Sequence, residues 1–219
     1  MEPLFPGLSY KKGIMKYDKA YYYKLYFNQV LPQITEVTNQ SEFGYHGLSH
    51  TNQVAMFGID LAYSINQEVL PVLLAAGLHD CARTNDEWCI DHGPQAASVG
   101  WNLLNKHYPN MSKETMRQIL FAVENHTIGH IAPDGVSACL WDGDRIRLSW
   151  ENTFRPEFFN TSRGRKIASM SPERQRRYID AQNAFLVRNQ IKTRDQIDFE
   201  RAQNALYYYS GTDFSHKFR

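Results

Sequence analysis

The sequence predicts an all-α protein, and three observations carry that expectation. Apolar residues recur at three- and four-residue intervals, as at Val54, Phe57 and Leu61, which is the period of a helix and not of a strand. No stretch alternates apolar and polar residues convincingly, and no internal repeat is present. The 219 residues suffice for one well-buried core, and no Pro/Gly/Ser-rich linker divides them. A domain over 1–165 with a helical extension over 166–219 packed on it is expected.

Asp18 suits the N-cap of a first helix running toward Val37, with Tyr22, Leu25, Tyr26 and Val30 near helical spacing and Pro32 as a kink or break. A polar turn from Asn39 to Gly44 follows. The next helix spans about His46 to Ile65, with His50 at the head of its apolar stripe. Another covers about Glu68 to Cys81 and holds the apolar run from Val69 to Leu78. Gly93-Pro94 opens a helix reaching His107, since proline suits a first helical turn, and Pro109 with Asn110 stops it. From Ser112 a further helix carries Met116, Ile119, Leu120 and Val123 and delivers His126 onto its apolar face before Gly129 ends it. Beyond Pro133-Asp134-Gly135, the stretch Val136 to Leu148 is helical in period, and Trp150 to Arg165 reads as irregular. Two charged amphipathic helices, about Pro172 to Arg188 and Asp195 to Tyr209, complete the chain. The tyrosine clusters at Tyr21 to Tyr23 and Tyr207 to Tyr209 fit packing roles.

Lys and Arg total 24 against 23 Asp and Glu, so no global charge draws the chain to nucleic acid or an anionic membrane. The basic stretch of Arg163, Arg165, Lys166, Arg174, Arg176 and Arg177 fits a solvated helix face better than an RNA or nucleotide contact. Phe154, Phe158 and Phe159 before it could stack a base or pack the loop. Met1 to Gly13 shows no basic-then-apolar leader pattern, and no apolar run approaches spanning length, so neither secretion nor membrane insertion is expected. Cys81, Cys89 and Cys139 lack any paired or zinc-finger spacing, which fits free thiols in a reducing cytoplasm.

The doublet His79-Asp80 stands where the apolar run meets a polar stretch. Burying that carboxylate is costly unless a cation compensates it, and a divalent metal is the natural candidate. Candidate ligands in order are His50, His79, Asp80, His92, His126 and Asp144. Asp142 and Asp144 lie about 200° apart on a helix and cannot share one centre. Leu140, Trp141 and Leu148 share the face of Asp144, which makes Asp144 the inward residue and leaves Asp142 a capping or supporting role. Arg83, Asn85 and Asp86 follow the doublet and belong at the mouth of the cavity; Arg83 suits a phosphate clamp or a salt bridge with Asp86 or Asp91. His107, His130 and His216 fit surface or packing roles.

This order of residues resembles the HD-domain superfamily of metal-dependent phosphohydrolases, over about residues 44 to 160. His50 with Val54 matches its first element, His79-Asp80 its doublet, and Asp144-Arg145-Ile146 its last. The phrases His46-Gly47-Leu48-Ser49-His50, His79 to Asp86, His92-Gly93, His126-Thr127 and Trp141 to Arg145 look like a small bacterial branch. The resemblance implies an HD-like helical bundle and a site of His50, His79, Asp80 and Asp144. It also implies that His92 and His126 hold a second ion bridged by Asp80, or else bind phosphate with amides of the Gly93-Pro94 helix start. Tyr45-His46 with His50 is similar to a pair in which the first His is the general acid, although Gly47 replaces the usual Asn.

The expected reaction is hydrolysis of a small phosphorylated metabolite such as a nucleotide, with Asp80, His46 and Arg83 catalytic and Arg83, Asn85 and Arg145 at the substrate. The metal is Mn, Fe, Co, Ni or Zn, as one or two ions. Two rivals share these ligands: a di-iron oxygenase, and a non-catalytic module that binds a nucleic acid or protein through its tail. The amphipathic C-terminal helices leave a homodimer open.

Overall fold

The computed structural model describes residues 17–40, 46–85, 89–148 and 156–209. Met1 to Gly13, Tyr45, Asp86, Trp150, Phe154 and His216 lie outside them, as do most of the polar turn before Tyr45 and the side chains of Tyr207 to Tyr209. Among the described residues the regular structure is helical and no strand occurs.

Helix α1 (Lys19–Leu25) starts where Asp18 accepts the Tyr21 amide at 2.9 Å. Of the kink or break expected at Pro32, no break occurs. In its place a π-helical turn, Tyr26–Val30, runs into α2 (Leu31–Thr35), and the Leu31 amide reaches back five residues to the Tyr26 carbonyl. Proline supplies no amide to the ladder, and widening the preceding turn accommodates that loss while helical structure continues.

Helix α3 (Leu48–Ile65) ends at Asn66, whose left-handed backbone (φ 54°) suits asparagine. Helix α4 (Val69–Leu78) is buried at every one of its 10 residues, which explains why its sequence is apolar all round. It packs against α3, α6 and α7, and so forms the centre of the bundle. Helix α5 (His92–His107) lies along α6 (Lys113–Glu124), which Ser112 caps by accepting the Thr115 amide at 3.0 Å. Gly93 permits that approach: a Cβ there would stand 2.5 Å from the Glu124 carbonyl oxygen. Helix α7 (Gly135–Leu148) begins after Asp134, which accepts the Ser137 amide at 2.8 Å, and packs along α3.

The stretch expected to be irregular contains a 3-10 turn (Pro156–Phe158) and helix α8 (Ser162–Ala168), capped by Thr161 through the Gly164 amide. Helices α9 (Pro172–Arg188) and α10 (Arg194–Tyr209) follow, and Ile167, Leu186 and Ile197 join the same buried core as α4. Asp60 of α3 fixes this limb: Lys19, Arg163 (Nη2, 2.8 Å) and the Tyr178 hydroxyl all donate to its carboxylate. Two cations of the basic stretch are engaged within the chain: half-buried Arg163 pairs with Asp60, and Arg165, though exposed, donates to the Phe159 carbonyl at 2.7 Å. Lys166, Arg174, Arg176 and Arg177 remain exposed.

Candidate metal centre

Five separate stretches deliver the six candidate ligands to one place. His50 sits in the first turn of α3, the doublet follows the last turn of α4, and His92 is the first residue of α5. His126 stands two residues beyond α6, which ends earlier than the sequence suggested, and Asp144 lies on α7. All six are buried. The carbonyl end of α4 also points its negative dipole at the doublet, which favours a cation there.

The ligand atoms form two groups that share Asp80. Asp80 Oδ2 lies 3.2 Å from His79 Nε2 and 3.7 Å from His50 Nε2. His50 Nε2 is also 3.1 Å from Asp144 Oδ1, and the His50 and His79 Nε2 atoms are 3.1 Å apart. On the other side, Asp80 Oδ1 lies 3.1 Å from His92 Nε2 and 3.5 Å from His126 Nε2. Those two Nε2 atoms face each other at 2.8 Å.

Tautomers sharpen the case for a cation. His79 and His126 direct Nδ1 at the carbonyls of Ala76 and Val123, each at 2.7 Å, and His92 directs Nδ1 at the Cys89 carbonyl. A carbonyl only accepts, so each Nδ1 is the nitrogen that donates, and Nε2 is the nitrogen left to face the centre. The Nε2 atoms of His92 and His126 face each other at 2.8 Å, a separation that a proton or a metal ion shared between them relieves. The donor set, its burial and these tautomers therefore fit a divalent metal held by His50, His79, Asp80 and Asp144, and by Asp80, His92 and His126.

Without metal the charges arrange themselves as follows. Burial, aided by the neighbouring His79, outweighs the Asp144 and Asp80 carboxylates and pushes the His50 imidazole down to about 4, so it is neutral. Burial also disfavours the charged form of His79, but the Asp80 carboxylate outweighs it and raises that imidazole to about 9. Burial opposes ionisation of Asp80 and Asp144, yet His79 with its neighbouring imidazoles holds Asp80, and His50 holds Asp144, well below the usual carboxylate range.

The remaining expected residues divide. Arg83 pairs with Asp80, donating Nε–H to Oδ1 at 3.0 Å. Asn85 is exposed. His46 precedes α3 instead of sharing its helical face, yet its ring lies 5.9 Å from that of His50 at a steep angle. Arg145, expected at the substrate, donates to the carbonyls of Phe158 (2.7 Å) and Gly129. Asp142 faces away from the centre, accepting the amides of Asn160 and Thr161 and the Thr161 hydroxyl, each at 2.7 Å. Thr127 was not anticipated at the centre: its hydroxyl is 3.4 Å from Nε2 of both His92 and His126. Its place directly after His126 was the signal available.

No family model and no curated protein matches the chain. Among solved structures it is similar to a predicted HD superfamily hydrolase from an uncultured Thermotogales bacterium, with a TM-score of 0.55 and 22% identity over 74% of this chain and 91% of that one. The chain has the HD-domain fold. Among the described residues no helix is long and apolar enough to cross a membrane.

Proposed function

We propose that the protein is a metal-dependent phosphohydrolase acting on a small phosphorylated metabolite. The observation that supports this reading is Asp80, whose two oxygens face two separate imidazole groups inside a buried cluster. His50, His79, Asp80 and Asp144 would hold one ion, and Asp80, His92 and His126 a second; imidazole mixed with carboxylate suits Mn, Fe, Co, Ni or Zn. Such ions, when bound, polarise a phosphoryl oxygen and bring the pKa of coordinated water toward neutrality.

The chain's own residues orient and protonate. Arg83 fixes the rotation of the Asp80 carboxylate through its Nε–H and carries guanidinium charge to the site where phosphate arrives. His46, beside His50 but outside the ligand groups, holds the proton that the leaving oxygen requires. Asn85, exposed just after Arg83, offers an amide to the substrate.

Elemental analysis of the purified protein and its Asp80→Asn variant, with a phosphatase screen using the metal found and nucleotides as the first class, tests the reading. Metal held by the wild type and lost from Asp80→Asn, with phosphate release only from the wild type, is the expected result. Two irons with oxygen consumption and no phosphate release would replace it by oxygen chemistry. Absence of metal under every loading condition would leave a non-catalytic module.

A further inference from the structure

The turn between α6 and α7 combines two properties that do not ordinarily occur together: it is pinned, and it exposes large apolar side chains. Arg145 holds the Gly129 carbonyl from α7, and Asn160 Oδ1 accepts the Ala132 amide at 2.8 Å. Asn160 is itself held by Asp142, whose Oδ1 accepts its amide. Gly129 lies flat on Trp141, where a Cβ would come within 2.3 Å of the indole. On this fixed backbone Ile128 is 55% and Ile131 88% exposed. The same Arg145 guanidinium holds Phe158, whose exposed ring lies 6.3 Å from that of His130.

This turn starts from the centre itself. Among the ligand side chains, Asp144 (12% exposed) and His126 (4%) are nearest solvent, while His50, His79 and Asp80 are at 2% or less. Ile128 is separated from His126 only by Thr127, whose hydroxyl faces both His92 and His126. Ile90, 53% exposed, stands two residues before His92 in the chain. Exposed apolar side chains on a turn that begins at a polar site suit the apolar part of a ligand held there.

We propose that the turn from Thr127 to Ile131 selects the substrate: the Thr127 hydroxyl donates to a phosphoryl oxygen, and Ile128 and Ile131 take an alkyl or aryl ester group attached directly to the phosphate. This rests on the phosphohydrolase reading and narrows it, since a nucleoside places a polar sugar where the isoleucines stand. The backbone clamps make the surface rigid before binding, so little ordering entropy is lost when it is covered.

The test is calorimetric binding of methyl- to hexylphosphonate to protein loaded with the metal found on purification, beside turnover of the matching alkyl phosphates. Affinity rising about two- to fourfold per methylene is expected for the wild type, with the slope lost in Ile128→Asn and Ile131→Asn and kept in Phe199→Asn on α10. Thr127→Val is expected to weaken the whole phosphonate series about tenfold without changing the slope, and Thr127→Ser to restore it. A flat series in the wild type overturns the inference, whether or not phosphate is released. A slope equally present in the isoleucine variants does so too. The expected slope in binding with no turnover of any phosphoester would instead overturn the hydrolase reading and leave the apolar recognition standing. Concentration-dependent self-association that Ile131→Asn abolishes, alongside a flat series, would assign the surface to a second copy of the chain.

Discussion

Asp142 and Asp144 show how two identical side chains on one helix acquire opposite tasks. Asp144 presents its carboxylate to His50, whereas Asp142 accepts from the backbone and side chains of Asn160 and Thr161. Asp142→Asn would turn an amide N–H toward buried donors and leave them unsatisfied. It is expected to cost about 3 kcal/mol, seen as a fall in Tm of about 6–12 °C, with the metal content retained. Asp60 gives the chain a pH dependence of known sign. Burial works against its ionisation, but Lys19, Tyr178 and Arg163 prevail and hold its pKa low. A carboxylate depressed in the folded state contributes fully above its unfolded pKa, near 3.9, and that contribution is lost as pH falls through the folded value. Urea midpoints measured from pH 6 to pH 3 are therefore expected to fall more steeply for the wild type than for Asp60→Asn. His79 supplies a further test. With its imidazole raised to about 9, metal-free protein carries that proton at pH 7, and ligation must expel it. Metal titrations in buffers of different ionisation enthalpy are expected to show release of about one proton at pH 7 and less above pH 9.

At the scale of elements, the helices with a clear apolar stripe were legible within a few residues, because burial of one face dictates the period. Helix α8 was not. Its short length and Gly164 obscure any stripe, and its one local signal, Thr161 as N-cap, was weaker than the apparent irregularity around Pro156. The π-helical turn was hidden for another reason: Pro32 announces a missing amide, but not whether the chain breaks or widens to accommodate it. Gly93 ties an element contact to the centre. Gly93→Ala would drive a methyl group into the Glu124 carbonyl and push the start of α5, with His92, away from α6. A loss of about 1–3 kcal/mol is expected. Elemental analysis should show metal lost from the His92/His126 half first, with the His50/Asp144 half retained.

For the whole molecule, the candidate centre was legible because histidine and aspartate are rare inside a core and signal their purpose by type and order. The rim was not legible in the same way. Arg145 reads as a substrate contact, yet it holds two backbone carbonyls, and carbonyls leave no trace in a sequence. Because the ligands come from α3 to α7, an ion would join elements otherwise held by packing and a few side-chain bonds such as Trp141 to the Ala122 carbonyl. Metal at a hundredfold excess over its Kd is expected to stabilise the fold by about 2.7 kcal/mol, and a chelator to reverse the gain, both read from urea unfolding. Helix α7 carries one last consequence. Asp142, Asp144 and Arg145 set the C-terminal limb, the centre and the rim from a single short arc, so they share one rotational phase. Inserting one residue within this arc turns the residues on its two sides by about 100° relative to each other, so the three cannot all keep their partners. Natural variation and engineered length changes should accumulate in the surface connections and avoid this arc, and its length can serve as an alignment anchor for tracing the lineage of the chain.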